Sequence, residues 1–319
     1  MIFDYALEPE LVATWHEWQS ARYFKEKFGV GRGRLVSRYP SRWQALVWQA
    51  FDSADQNARK RLEALLSILT SKMVVRGSPY DGERTWLVNT EQEHERSPFH
   101  AILARTNPSG SAAVVCGNEI DEETEPRWAA PSSCIVDRDS DELAAAVAPM
   151  LRCCSEVIFI DPHFAPQELR FRRTLGRFLW ALLKERPGAP PARIDLCVDQ
   201  EKYGRGYFEQ ECRQKVPAVI PSGMKLRIVR LKQRLAGQPL HNRYILTDIG
   251  GVSFGHGLDE SERVTCGRVV AGNAPAATDD VKRFEEADYR LRWSQYGSAT
   301  LAFDRVEPPL EIIGKATVA

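Results

Sequence analysis

The sequence has little of what marks secreted, membrane-spanning or repetitive proteins. Its seven cysteines among 319 residues form no Cys-x-x-Cys pair and are too sparse for a disulfide scaffold, which favours a reducing cytoplasm. No apolar run approaches the roughly 18 residues of a membrane-spanning helix, and the start of the chain lacks the basic and apolar segments of a signal peptide. We therefore expect a cytoplasmic protein without a transmembrane segment.

The chain also lacks an excess of charge of either sign. Lysine and arginine together number 43, as do aspartate and glutamate, so net charge gives no argument for binding to nucleic acid or to a membrane surface. Any such binding must come from a local patch. With 319 residues, the chain is long enough for two domains with cores of ordinary size.

The pattern of apolar residues predicts two domains, 1–128 and 129–319. Helical spacing dominates the first 75 residues. Short β-like runs, separated by glycine, proline and acidic clusters, follow at 86–88, 101–103 and 113–115. The acidic run 119–126 is the best candidate for a linker. We expect a mainly helical (α+β) N-terminal domain that recognises a substrate or a partner protein.

Strands and helices alternate in the second domain. Short strands are predicted at 134–136, 157–160, 194–198 and 226–229, with a further β-like run at 289–293. Helices are predicted between the strands at 140–152, 168–185 and 207–216. This alternation favours an α/β fold with a mixed or mainly parallel sheet flanked by helices. In such a fold, sites lie in the loops beyond the strand ends.

The run from His241 to Gly251 places reactive side chains at the start of a predicted strand. His241 and Arg243 are two positions apart, so in an extended chain they project to the same face. Tyr244 to Thr247 supply a β-rich run behind them, and Asp248 follows. A neutral imidazole can attack phosphorus, a fixed cation can hold the non-bridging oxygens, and a carboxylate can orient its neighbour. We therefore predict phosphate chemistry, with His241, Arg243 and Asp248 as catalytic residues.

This run resembles the signature of the phospholipase D superfamily, HxK followed by four residues and Asp, with Arg243 at the lysine position. The family's Gly-Ser-x-Asn stretch corresponds to 255–259, with His256 and Leu258 at the serine and asparagine positions. Upstream, the run 156–164 is similar to the buried strand that ends in Asp-Pro-aromatic in many members. The resemblance covers roughly residues 130 to 319. It is closest to the phospholipase-D-like C-terminal domain of MIT-domain proteins and its prokaryotic relatives, and it implies a phospholipase-D-like mixed sheet.

The resemblance implies two alternative functions. One is a metal-independent phosphodiesterase, a nuclease acting on nucleic acid through a phosphohistidine without a cofactor, similar to components of prokaryotic anti-phage defence. The other is a catalytically inactive domain that binds nucleic acid, a membrane surface or a protein partner. The choice between the two depends on Arg243. A guanidinium binds phosphate bidentately, which is enough for binding, but it differs in shape and length from the lysine ammonium that the family uses for turnover.

The family chemistry requires two histidines, one that forms the phosphohistidine and one that protonates the leaving group. Single-motif members pair two copies, so we predict a homodimer if the chain is an enzyme. His163, which follows Asp161 and Pro162, is the candidate substitute within one chain. The alternative is a structural histidine at a strand end, with Asp161 as a turn residue. His256 and Asp259 are further candidate supporting residues.

Arginines outside the motif are candidates for binding the phosphates of nucleic acid. They are Arg32, Arg34, Arg38 and Arg42 in a glycine-rich loop with interleaved aromatics, and Arg173 on the predicted helix 168–185. Such basic and aromatic groups can follow a nucleic-acid backbone. A solvated basic loop and the polar face of an amphipathic helix are the alternatives.

Overall fold

The computed structural model describes residues 1–71, 73–117, 120, 125–234, 240–262, 277–297 and 303–317. Within these residues the chain is a mixed α/β protein with two sheets flanked by helices. The residues group into two compact units. The N-terminal unit is Ile2–Pro131 with Glu185–Ala189, and the C-terminal unit is Met1, Ser132–Lys184 and Pro190–Ala319. The first boundary between the two units falls after Pro131.

The N-terminal unit is built on a five-stranded sheet. Its strands are β1 (Phe3–Leu7), β2 (Arg34–Arg38), β3 (Met73–Val75), β4 (Ala101–Ala104) and β5 (Val114–Cys116). Its helices are α1 (Pro9–Thr14), α2 (Trp18–Lys27), α3 (Trp43–Ala50), α4 (Gln56–Thr70) and α5 (Trp86–Arg96). The strand order is β3-β2-β1-β4-β5, and every neighbouring pair is parallel.

The N-terminal unit contains more helix than strand, but its strands β1 and β2 were not predicted from the sequence. Strands β1 and β2 are short and almost wholly buried, so they lack the alternation that marks a half-buried strand. The run 86–88, predicted as a strand, instead begins α5, where the Thr85 hydroxyl accepts the N–H of Val88 and caps the helix. Most of the predicted linker 119–126 lies outside the described residues.

The C-terminal unit is built on an eight-stranded mixed sheet. Its strands are β6 (Ser133–Asp137), β7 (Glu156–Ile160), β8 (Arg193–Asp199), β9 (Lys225–Gln233), β10 (Arg243–Thr247), β11 (Gly250–Phe254), β12 (Thr278–Arg283) and β13 (Phe303–Ile313). Its helices are α6 (Ser140–Cys153), α7 (Leu169–Ala181), α8 (Arg205–Lys215) and α9 (Glu286–Gly297). The strand order is β13-β9-β8-β7-β10-β11-β12-β6. The predicted sheet flanked by helices is confirmed, but the run 289–293 is helical and lies within α9.

The core of this unit lies on both faces of the central strand β7. On one face, Phe159 stacks on Phe178 of α7 with ring centroids 5.8 Å apart. On the other face, Ile158 and Ile160 pack in a cluster with Tyr244. Burying each such side chain contributes roughly 1.5–3 kcal/mol. Packing on both faces therefore holds β7 in place, and with it the ends of the strands that pair with it.

Four strand ends meet at one edge of this sheet. Strands β7 and β8 are parallel, with Ile160 opposite Cys197. Strand β10 runs antiparallel to β7, which places Tyr244 opposite Ile160. Strand β11 runs antiparallel to β10, which places Phe254 opposite Arg243. The loops that follow β7, β8 and β11 and the loop that precedes β10 consequently share this edge.

None of the described helices combines the length and the apolar content needed to cross a membrane.

Candidate functional site

Two histidines from different loops meet at the shared edge. The rings of His163 and His241 have centroids 5.6 Å apart and planes inclined at 84°. His163 follows β7, and His241 precedes β10. The structure thus brings together the motif histidine and the histidine that the sequence offered only as a substitute. Because one chain supplies both rings, the predicted homodimer loses the reason on which it was based.

A tight turn after β7 fixes the backbone of His163. The Asp161 Oδ1 atom accepts the N–H of His163 at 3.0 Å, and the Asp161 carbonyl accepts the N–H of Phe164 at 3.2 Å. The N–H of Asp161 donates to the Cys197 carbonyl of β8 at 3.0 Å. Asp161 is therefore a turn residue, as one sequence alternative held, and this turn places His163 beside His241.

Three polar atoms near this pair are buried without a hydrogen-bond partner among the described residues: Asp161 Oδ2, His163 Nε2 and Arg243 Nε. Burial raises the pKa of Asp161 to about 6, although the backbone N–H of His163 opposes the rise. Burial and the nearby Arg243 cation lower the pKa of His163, since both disfavour the protonated imidazole. Both effects therefore favour the neutral form of the His163 ring.

Sequence reasoning missed Lys202, which lies in the turn after β8. Its ammonium donates to the His163 carbonyl at 2.6 Å. Together with Arg243, it places positive charge beside the histidine pair. The available signal was its position just beyond a predicted strand, at the end where a parallel sheet gathers its functional loops.

Asp248 lies at the opposite end of β10 from His241 and Arg243. Its Oδ1 atom accepts the backbone N–H groups of Ser155 at 2.8 Å and Glu156 at 3.1 Å. The five residues of β10 span about 16 Å at roughly 3.3 Å per residue. The prediction that Asp248 orients the catalytic histidine is therefore wrong. Asp248 instead fixes the start of β7.

The loop after β11 is held by a carboxylate that the sequence did not indicate. Asp279 of β12 accepts the backbone N–H groups of Gly255 at 2.7 Å, His256 at 3.2 Å and Gly257 at 3.3 Å. The His256 side chain is 64% exposed, and its Nδ1 atom lies 3.8 Å from Asp279. Among the described residues, no contact joins His256 to the histidine pair. The prediction that its side chain supports the site is not met.

Asp259 ties this loop to its neighbours. It forms ion pairs with Arg138 at 2.9 Å and Arg170 at 3.0 Å. Burial raises its pKa, against the two arginines, which lower it. Next to it, the fully buried Glu260 pairs with Arg173 at 2.8 Å. Asp259 thus supports the loop, whereas Arg173 is already engaged and does not present a free cation.

The predicted basic loop of the N-terminal unit does not form one patch. Arg34 is buried, stacks over Trp128 at 4.3 Å and donates to its carbonyl at 2.8 Å. Arg32 is exposed on one side of β2, and Arg42 is exposed beyond the other end. Arg38, the last residue of β2, is half-buried. The strand lies between Arg32 and Arg42, and Arg34, a candidate ligand of phosphate from the sequence, belongs to the core.

No model of a known protein family matches this chain, and no curated protein matches it. Among the described residues, no group of three or more His, Cys, Asp and Glu side chains is placed to hold a metal ion. The geometry of the shared edge is therefore the basis for a functional assignment.

Proposed function

We propose that this chain is a phosphodiesterase that works through a phosphohistidine without a metal ion, with both histidines supplied by one chain. The observation that carries the proposal is the contact of His163 with His241, at 5.6 Å between ring centroids. Arg243, whose Nε atom has no partner among the described residues, lies beside them. Two imidazoles and a cation at one exposed edge are the groups that phosphoryl transfer needs.

The resemblance of the motif to that of the phospholipase D superfamily supports the same chemistry. His241 and Arg243 occupy its histidine and lysine positions, and a mixed sheet flanked by helices carries them. The proposal departs from the family in one respect. His163, from the turn after β7, replaces the histidine that a second copy of the motif supplies in other members.

His163 is the nucleophile in this mechanism, because its lowered pKa leaves a ring lone pair available at neutral pH. One of its ring nitrogens attacks phosphorus, a nitrogen–phosphorus bond forms, and the bond to the leaving oxygen breaks. His241 gives its proton to that oxygen as the general acid. Water then attacks phosphorus, His241 takes a proton from the water, and the phosphomonoester leaves His163. Arg243 holds the non-bridging oxygens throughout.

Nucleic acid, as DNA or RNA, is the proposed substrate. His241, Asn242 and Lys202 are exposed, so a polymer can reach the pair without entering a closed cavity. The phospholipase D resemblance supports a nuclease of prokaryotic anti-phage defence that acts in the cytoplasm. In this proposal the N-terminal unit recognises the nucleic acid or a partner protein.

Trapping of a phosphoenzyme tests the mechanism. Purified protein in EDTA is mixed with bis(4-nitrophenyl) phosphate, whose nitrophenolate leaves without a general acid. In the His241→Ala variant we expect attack by His163 to continue and the phosphohistidine to accumulate, because no base activates water. The His163→Ala variant carries no phosphate, and the exposed His256→Ala control behaves like the wild type.

Other outcomes of this experiment reassign or remove the activity. A phosphorylated His163→Ala variant would make His241 the nucleophile. If neither product nor phosphoenzyme forms, with oligonucleotides as well as with the small diester, the protein is not a phosphodiesterase.

A phosphate-binding domain without turnover is the second candidate. Arg243 favours it, because a guanidinium keeps the charge of the lysine but not its shape. In that case, the wild type hydrolyses no faster than the His241→Ala variant and still binds phosphate.

A further inference from the structure

The turn after β8 brings Lys202 to the histidine pair. Because β7 and β8 are parallel, their ends are adjacent, and the N–H of Asp161 donates to Cys197 O at 3.0 Å. The turn carries Lys202 back toward β7, where its ammonium donates to His163 O at 2.6 Å. The cation is thus attached to the backbone of a residue that lines the site.

A buried arginine makes this turn rigid. Arg230 of β9 is only 9% exposed, and its Nη2 atom donates to the carbonyls of Gln200 at 2.7 Å and Tyr203 at 2.8 Å. These two carbonyls flank Lys202 on either side. Satisfying both of them with one buried guanidinium fixes the backbone of the turn. The backbone that carries Lys202 is therefore held in place by the fold.

Most cations near this edge are neutralised by carboxylates. Arg138 and Arg170 pair with Asp259, at 2.9 and 3.0 Å. Among the described residues, Lys202 and Arg243 have no carboxylate within ion-pair distance. Burial lowers the pKa of Lys202, and the charges of Asp161 and Glu168 oppose the fall without coming within ion-pair distance.

We propose that Lys202 and Arg243 together form a two-cation clamp for a phosphate group, with Lys202 supplying the ammonium that the motif lacks at position 243. An ammonium has three donors, and His163 O takes one. The others, with the donor fork of Arg243, match the non-bridging oxygens of a tetrahedral phosphate. That the bound group is the reacting diester rests on the proposed function. The binding of phosphate does not.

Inorganic phosphate is the probe for the clamp, with binding measured by titration calorimetry on the full chain. One hydrogen bond from a charged donor is worth enough for the Lys202→Met variant to bind phosphate about 10- to 100-fold more weakly than the wild type. The Lys202→Arg variant recovers most of the affinity. Lys225→Met, a control at the opposite edge of the same sheet, leaves it unchanged. Equal melting temperatures confirm that all four proteins are folded.

Three results would overturn the clamp: no phosphate binding by the wild type, wild-type affinity in Lys202→Met, or an equal loss in Lys225→Met. Hydrolysis of the small diester is measured in parallel. If turnover depends on His241, but neither kcat nor KM depends on Lys202, the proposed function holds and the clamp is wrong. If phosphate binding depends on Lys202 but the protein shows no turnover, the clamp holds and the proposed function is wrong.

Discussion

The two ends of strand β10 differ in how far their polar groups are satisfied. At the end of the strand, Asp248 accepts two backbone N–H groups, the Thr247 hydroxyl donates to Gly250 O at 2.8 Å, and the Tyr289 hydroxyl donates to Thr247 O at 2.7 Å. At the start of the strand, Arg243 Nε is buried without a partner among the described residues. The same short motif therefore stabilises the fold at one end and carries the proposed site at the other.

This contrast has an energetic meaning. A buried polar group without a partner costs roughly 1–3 kcal/mol, and native structures keep few of them. Such a cost is tolerated where a ligand supplies the missing partner. Substitutions at the start of β10 should consequently change activity, and substitutions at its end should change stability.

The largest expected effect is the loss of activity in His241→Ala. We expect kcat with an oligonucleotide substrate to fall about 10³-fold, because a leaving alkoxide needs the proton of a general acid. The melting temperature should not change, since the ring is exposed. Steady-state kinetics and thermal unfolding measure the two quantities. If the variant keeps a tenth of the wild-type activity, the start of β10 does not have the proposed role in catalysis.

The next effect has the opposite sign, a gain of stability in Asp161→Asn. Asparagine keeps the acceptor for the N–H of His163 but carries no charge. The pKa of folded Asp161, about 6, is above its ordinary value of 3.8. The ionised form therefore opposes folding, and the wild type loses stability as the pH rises from about 4 to about 6.

This shift corresponds to about 3 kcal/mol, the upper limit of the gain expected for Asp161→Asn at pH 7. Near pH 4 the variant and the wild type should be equally stable. Urea unfolding at both values measures the difference. A gain of the same size at pH 4 and pH 7 would rule out ionisation of Asp161 as its cause.

The smallest effect is expected at the end of the strand, in Asp248→Ala. Loss of the acceptor for two exposed backbone N–H groups should lower the free energy of unfolding by about 0.5–2 kcal/mol, as loss of a helix cap does. Turnover per folded molecule should not change, because this carboxylate lies a strand length from His241. If kcat falls more than the folded fraction does, the two ends are coupled and the contrast fails.

Local patterns predicted those parts of the fold that depend on neighbours in the sequence. The β-rich run behind Arg243 correctly indicated a strand that begins at the motif, and β7 was evident as a continuous apolar run. The role predicted for Asp248 was wrong, because this carboxylate is close to Arg243 along the sequence but a whole strand away from it in space. In an extended strand each further residue adds about 3.3 Å, so residues close in sequence are not close in space.

Contacts between distant segments could not be predicted in this way. Lys202 and His163 are 39 residues apart and meet only because β7 and β8 are neighbouring parallel strands. The aromatic start of α5 at Trp86 and the run at Tyr289 both resemble strands locally. Their surroundings make them helical, through the Thr85 cap in the first case and packing of α9 against β10 and β11 in the second.

The short segment Glu185–Ala189 affects when the N-terminal unit can complete its folding during synthesis. It lies between α7 and β8 along the chain, yet it belongs to the N-terminal unit, where Pro187 O accepts the N–H of Gly77 at 3.1 Å. Domains generally fold from the N-terminus during synthesis. Here the ribosome must also produce β6, α6, β7 and α7 before the first unit has all of its residues. The nascent chain therefore holds a large part of the second unit while the first is still incomplete.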